Sequence, residues 1–331
     1  MPRRVKIEQA NVEAVRRLNV VDPVLVDVLP AGEVIPGMED RMVLHSGPEV
    51  GWERMCGAQR GAVMGIILFE GWADTPEAAE ALAGPGPVTL GSNHDHGAVG
   101  PMAGTISPSL PVFVVEDRAT GDRAFSSLVE SNQEFGDYHE AGISTLLKWR
   151  RACAPALSEG LQSQGGIRLR PIFERALAMG DELHNRPHAA TALLSIELTD
   201  RMLRARVEPD RAADAQLFFS SNPFSGLGVA MAASKLMADR IKGLEYSTVV
   251  SAMARNGTEF GIRVASLGDE WFTAPSPHVD GHYLPGFKAA DAGLDMGDSV
   301  ITETAGFGAN LIAGAPGVLP LVGGSRAQAT E

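Results

Sequence analysis

The dipeptide Asn256-Gly257 stands between two β-branched runs, Thr248-Val249-Val250 and Phe260-Gly261-Ile262-Arg263-Val264. No other short pattern constrains this chain as strongly. Both residues accept the positive φ that a tight turn needs, so the pattern predicts an antiparallel hairpin in the last third of the chain. The middle of the chain repeats with a helical period instead. Leu169, Ile172, Phe173, Ala176, Leu177, Gly180 and Leu183 predict one buried helix face. A further helix is expected over Ala189 to Arg206, and another after Asn222-Pro223 with Leu227, Met231, Ala238 and Ile241 turned inward. Upstream, the two periods alternate. Short strands are expected at Val24-Leu25-Val26, Met42-Val43-Leu44, Val88 to Leu90 and Val112 to Val115. Between them lie helices from about Ala58 to Ala73, where Gly61 and Gly65 permit close packing, and from Thr75-Pro76, an N-cap followed by Pro at the first helical position. The pattern predicts an α+β fold: a mixed α/β domain over residues 1–125, a helical region over 126–243, and a β-rich part with a Gly-rich tail over 244–331 that folds back on the first domain.

Charge narrows the partners. The 331 residues carry a formal net charge of −13, a field that repels phosphate backbones and anionic lipid, so neither nucleic acid nor a membrane surface is expected as partner. Two cysteines, Cys56 and Cys153, make no disulfide framework, and a reducing cytoplasm fits them best. Met1 to Arg17 reads as a polar helix rather than a signal peptide, and Pro316 and Pro320 interrupt the apolar tail from Asp291 to Gly324, which reads as core or loop. The Walker A, dinucleotide, nucleophile-elbow and His-Glu-x-x-His patterns are all missing.

Four clusters could carry chemistry. In Asn93-His94-Asp95-His96 the histidines could bind a metal with a third ligand such as Glu182 or His184, polarise a carbonyl without metal, or form a solvated loop. In Met179 to Arg186 helical spacing would put Asp181 and His184 on one face, the carboxylate fixing the imidazole tautomer, with Arg186 just beyond; the alternative is a helix end capped by His and Arg. Arg255 and Asn256 at the hairpin, with Arg263 on the returning strand, offer forked donors for a carboxylate or phosphate, or else form a plain surface turn. Asp298, Ser299, Glu303 and Thr304 lie in a Gly-rich stretch that could line an anion pocket, or the two carboxylates could cap elements. His45 reads as a satisfied loop histidine and Cys56 as a small buried hydrophobe.

These clusters, in this order, resemble the bacterial AllG/YlbE-like family, which includes a subunit of oxamate carbamoyltransferase. The resemblance runs from Asp27 to Gly324. It rests on Leu29-Pro30-Ala31-Gly32, Ala98-Val99-Gly100-Pro101-Met102-Ala103-Gly104, Met179-Gly180-Asp181-Glu182 with His184-Asn185-Arg186, and Ala252 to Gly257. Phe260 to Val264, Trp271 to Pro275, and Gly297-Asp298-Ser299 with Ile301-Thr302-Glu303-Thr304 complete it.

The resemblance implies a polypeptide working with partner subunits, one of them similar to acyl-CoA synthetases, in purine and allantoin breakdown. The implied reaction moves a carbamoyl group from oxalurate to phosphate, giving oxamate and carbamoyl phosphate, with no cofactor. On this sequence it makes Arg186, Arg255 and Arg263 the expected anion clamps, with Asn256, Asp298 and Thr304 as further substrate contacts. His94 or His184 would polarise the carbonyl or act as acid and base, with Glu303 beside them. Two departures stand out. The family tends to carry a His-His pair where this chain has His94-Asp95, which leaves His96 at a variable place, and family members continue beyond the point where this sequence ends. Two other classes remain open. One is a metal-assisted amide hydrolase, with zinc or manganese held by His94, His96 and His184; the other is a noncatalytic ligand-binding or assembly subunit.

Overall fold

β-branched and aromatic side chains suit a pleated, half-buried surface, and the first sheet is built from them. After the polar helix α1 (Arg3–Val20), strand β1 (Pro23–Pro30) runs through the turn of helix α2 (Ala31–Val34) toward β2 (Met42–His45). Helices α3 (Gly57–Glu70) and α4 (Pro76–Ala83) follow, α4 capped by the Thr75 hydroxyl, which accepts from the Ala78 amide at 3.2 Å. Next come β3 (Thr89–Ser92), β4 (Ala98–Val99), β5 (Pro111–Asp117) and β6 (Arg123–Ser126). The protein's structure, a computed structural model, describes residues 2–129, 133–278, 288–289, 292–319, 323, 325 and 327–328.

The middle of the chain is helical, as its periodicity predicts. It comprises α5 (Glu140–Lys148), a π-helical turn (Trp149–Cys153), α6 (Ala154–Gln164), α7 (Leu169–Ala178), α8 (His188–Ala205), α9 (Pro209–Ser221) and α10 (Ser225–Asp239). One short strand, β7 (Ile167–Arg168), interrupts it and joins the first sheet, whose order is β4-β6-β5-β1-β7 with β4 and β6 parallel and the other neighbours antiparallel. α10 is buried along most of its length and packs on β5 and β6; its Gly, Ala and Ser positions let the helix approach the sheet closely. Phe113, Trp149 and Phe219 are wholly buried at the centre of the core, and the Trp149 indole donates to the Pro111 carbonyl at 3.0 Å.

The expected hairpin is present. β8 (Val250–Asn256) and β9 (Glu259–Val264) pair Arg255 with Phe260 and Met253 with Ile262, and β10 (Phe272–Pro275) and β11 (Met296–Gly297) extend them into an antiparallel sheet ordered β10-β9-β8-β11. The turn differs in one respect from the expectation. Only Gly257 takes a positive φ, +77°; Asn256 stays in the strand, and its side-chain oxygen accepts from the Thr258 and Glu259 amides at 2.9 and 2.7 Å.

A second difference bears on the site. The helix expected to run through Leu183 stops at Ala178, because Gly180 (φ +88°) and Leu183 (φ +70°) turn the chain out of helical geometry. Past α11 (Ile301–Thr304), the tail folds as the 3-10 turns Gly308–Gly314 and Pro316–Val318. Asp291, Pro320 and Gly324, named in the expected Gly-rich tail, lie outside the described residues. Among the described residues no helix is long and apolar enough to cross a membrane.

Candidate functional site

Three loops meet at the end of the hairpin sheet, and one carboxylate joins them. Asp298, just past β11, is fully buried; it accepts from the Gly47 amide at 2.7 Å, the Gly100 amide at 2.9 Å and the Asn93 side chain at 3.0 Å. Its own amide donates to the Gly100 carbonyl at 2.9 Å. Burial pushes the Asp298 carboxyl up, but His94 and the hydrogen bonds from Asn93 and Gly47 outweigh it and hold the group below the usual carboxylate range. His94 lies beside it, with Nε2 3.5 Å from Asp298 Oδ1, too long for a hydrogen bond, and neither ring nitrogen has a partner among the described residues. Burial lowers the His94 pKa against the attraction of Asp298, and the ring packs edge-on against Trp271. His45 is likewise buried, its Nδ1 2.9 Å from the Ser46 carbonyl.

The Asp298 junction fixes the loop that carries Pro101 and Met102. The Ser46 hydroxyl adds a bond to the Gly100 carbonyl at 2.9 Å, and Met102 is held at φ +49°, a left-handed conformation unusual for a side-chain-bearing residue. Pro101 and Met102 form one wall of a pocket of about 310 Å³. Phe135, Phe224 and Leu227 supply further apolar surface, while His184, Asn185, Asn222, Ser299 and Glu134 bring polar groups to it.

His184 is the titratable ring at this pocket. Its Nδ1 lies 2.7 Å from Glu303 Oε1, and Glu303 also accepts from the Thr302 hydroxyl and the Ala309 amide, both at 2.9 Å. Burial opposes the charge on Glu303, but the hydrogen bond and charge of His184 prevail and the carboxyl is held below its ordinary value. The opposite holds next door. Glu182 is fully buried, with Oε1 accepting from the His184 and Arg186 amides at 3.0 and 2.5 Å and Oε2 without a partner among the described residues. Burial, and the nearby Glu303 charge, push the Glu182 carboxyl up. The two carboxyls that meet His184, one through its backbone amide and one through its ring, are thus shifted in opposite directions.

The expected pairing of Asp181 with His184 is replaced, because the helix ends before either residue. Asp181 instead accepts from the Ala190 amide at 2.8 Å and from Arg186 at 3.2 Å. The other expected contacts scatter. Arg186 is held by Asp181 and by the Gly180 carbonyl, Arg255 by Asp295 at 3.0 Å, and Arg263 by Asp95 and, at 3.5 Å, by Asp269, with its guanidinium 4.2 Å from the Trp271 ring centroid. None of the three is among the residues that line the pocket. Asn256 closes the hairpin and donates to the Pro48 carbonyl at 3.0 Å, and the Thr304 hydroxyl lies 3.5 Å from the Val300 carbonyl within its own helix. His96 turns to the Pro36 carbonyl at 2.9 Å. Among the described residues no three or more His, Cys, Asp or Glu side chains are grouped to hold a metal ion.

Sequence reasoning passed over Glu134, Phe135 and Asn222. Asn222-Pro223 marks only a helix start in the sequence, and no local pattern marks the other two as pocket residues.

Fold and site describe an α+β protein with a pocket lined by loops and the first turn of α10, at which one carboxylate-oriented histidine stands. Within that class, the chain belongs to the AllG family: the model of the oxamate carbamoyltransferase subunit AllG matches residues 88–299, which include His94, His184, Asp298 and Ser299. The uncharacterized protein YahG of Escherichia coli (strain K12) is 40% identical over 330 residues, covering 98% of this chain and 70% of YahG. The oxamate carbamoyltransferase subunit AllG of the same organism is 37% identical over 331 residues, covering 98% of this chain and 79% of AllG. A crystal structure of a conserved protein of unknown function from Enterococcus faecalis V583 superposes with a TM-score of 0.96 at 39% identity, covering 99% of this chain and 80% of that one.

Proposed function

We propose that the chain is a subunit of an oxamate carbamoyltransferase-type complex and that the His184 pocket holds the small amide-bearing acid on which the complex acts. Membership of the AllG family supports the subunit role. The observation that carries the site is the 2.7 Å contact between His184 Nδ1 and Glu303, which leaves Nε2 as the ring atom able to meet a bound group. In the reaction named for the relative, a phosphate oxygen attacks the ureido carbonyl of oxalurate and the carbon–nitrogen bond to oxamate breaks. His184 takes the proton from the attacking phosphate and returns it to the departing nitrogen, so the ring ends as it began. Asn185, Asn222 and Ser299 offer neutral donors to the carboxylate and to the oxyanion formed on attack. The reading gives His184 the role expected of His94 or His184, since His94 is sealed from the pocket's solvent. An acyl-CoA-synthetase-like partner and a cytoplasmic setting belong to the same reading.

The test is a thermal-shift titration of the full chain with oxamate, oxalurate, carbamoyl phosphate and phosphate, a measurement that needs no partner subunit. Stabilisation by oxamate or oxalurate that is lost in Asn222→Ala and Ser299→Ala is the expected result. Stabilisation by none of the four, or stabilisation that both variants retain, would overturn the assignment.

A further inference from the structure

A second cavity, of about 360 Å³, is lined in part by the end of β1 and shares no lining residue with the His184 pocket. Two departures from regular structure converge on it. β1 carries a bulge between Leu25 and Asp27 in its pairing with β5, and Val28, Leu29 and Pro111 just beyond form the apolar floor. Asp27 is buried and accepts from Gln162, at the cavity edge, at 2.9 Å. The π-helical turn Trp149–Cys153 widens the helix between α5 and α6 and carries Arg150 to the cavity wall. Isolated π-turns inside helices concentrate at functional sites.

Arg150 is held from behind. Its Nη1 donates to the Ser109 hydroxyl at 2.6 Å, that hydroxyl donates to Glu70 at 2.7 Å, and the guanidinium carbon sits 4.5 Å from the Phe69 ring centroid. No carboxylate lies within ion-pair distance of it among the described residues, whereas Arg186, Arg255 and Arg263 are each paired with aspartate. A fixed, unpaired guanidinium facing a cavity is a preorganised fork for a carboxylate. Glu33, on the turn of helix α2, also lines the cavity and has no cationic partner among the described residues.

We propose that this cavity is a binding site for a zwitterionic amino acid with a short apolar side chain, its carboxylate on Arg150, its ammonium on Glu33 and its side chain on the floor formed by Val28, Leu29 and Pro111. One unpaired cation and one unpaired anion over an apolar floor match a ligand with the same three parts. The site stands apart from the proposed carbamoyl-transfer pocket and does not depend on it.

Isothermal titration of the full chain with glycine, alanine, valine, leucine and methionine tests the assignment, with leucinamide and 4-methylpentanoate as analogues lacking one charge each. At least one of the aliphatic amino acids should bind. Both one-charge analogues should bind at least tenfold more weakly than leucine, and Arg150→Gln and Glu33→Gln should each weaken amino-acid binding at least tenfold. Glu33 is exposed on a four-residue helical turn, so its variant keeps the test open should Arg150→Gln fail to fold. His184→Gln should leave the binding unchanged, which separates this site from the other. Absence of binding by all five amino acids, or binding that Glu33→Gln leaves intact, would overturn the proposal.

Discussion

Beside the exposed His139–Asp137 contact, the described residues hold two buried or nearly buried histidine–carboxylate pairs, and their surroundings set them apart. His94 and Asp298 lie 3.5 Å apart with neither side chain exposed; His184 and Glu303 lie 2.7 Å apart with 15% and 12% of their side chains in contact with solvent. In the sealed pair the carboxylate gathers backbone amides from two other loops and the ring is packing. At the pocket the carboxylate orients the ring, and the ring faces open space. Both set an imidazole against a carboxylate. Under the proposed function, what separates a brace from a reactive group is where the carboxylate's other hydrogen bonds go and whether the second ring nitrogen can reach a ligand.

The comparison is broken most severely by removing the brace. Asp298→Ala leaves the Gly47 and Gly100 amides and the Asn93 side chain without their acceptor in the interior, and an orphaned buried donor costs about 1–3 kcal/mol. Urea unfolding should show a loss on the order of 3–5 kcal/mol, the range for a broken buried pair. A loss under about 1 kcal/mol would mean that water replaces the carboxylate and the junction is not sealed.

Glu303→Gln should move the other observable. Loss of an orienting carboxylate typically lowers activity about 10–100-fold, and the expected result is a fall of that size in turnover by the assembled complex with a smaller change in unfolding free energy than Asp298→Ala gives. Gly308→Ala reaches the same contact from outside. A Cβ at Gly308 would stand 1.9 Å from Glu303 Oε1 on a backbone at φ +60°, so the carboxylate must leave His184. Turnover that survives both changes would show that the ring needs no orientation, and the contrast between the pairs would lose its functional half.

A pH titration of stability sharpens the contrast further. Burial depresses the folded pKa of His94, so below about 6.5 the unfolded chain takes up a proton that the native ring refuses, and stability falls as pH falls from there. His45, also depressed by burial, acts in the same direction. Asp298 adds a later loss: its folded pKa is depressed too, so its contribution is complete above about pH 4 and disappears as pH drops through the lower folded value. The urea midpoint should therefore decline between about pH 6.5 and 5, and His94→Phe, which keeps a ring against Trp271, should flatten part of that decline. An unchanged slope in the variant would mean that His94 takes up its proton within the fold.

The sequence was explicit about the elements and silent about their meetings. Thr75-Pro76 caps α4, Gly61 and Gly65 admit the backbone of Gly136 and Asp137 against α3, and the hairpin closes at Gly257, because each is a local matter of dihedral angle, cap or close approach. The partner of His184 was legible only as a composition. Spacing pointed to Asp181, three residues away, whereas the carboxylate that binds the ring lies 119 residues further on and arrives because Gly308 folds the tail against the Glu182 carbonyl. The arginines mislead for a related reason. A guanidinium suits a substrate carboxylate and a neighbouring aspartate equally well, and only the packing of β8 and β9 decides that Asp295, Asp95 and Asp269 are there to meet Arg255 and Arg263.

The smallest expected effect is at Thr304, one residue from Glu303 and, on sequence grounds, an equally good substrate contact. Its hydroxyl lies 3.5 Å from the Val300 carbonyl, at the limit of a hydrogen bond, and it is not among the pocket's lining residues. Removing the hydroxyl leaves no strongly held group unpaired, so Thr304→Ala should change unfolding free energy by less than about 0.5 kcal/mol and leave stabilisation by oxamate or oxalurate as it was. The same pair of measurements made on Glu303→Gln supplies the reference. Should Thr304→Ala reduce the ligand-induced shift as much as Glu303→Gln does, then α11 presents a second face to the ligand, and the boundary between bracing and reactive residues falls beyond Glu303 rather than at it.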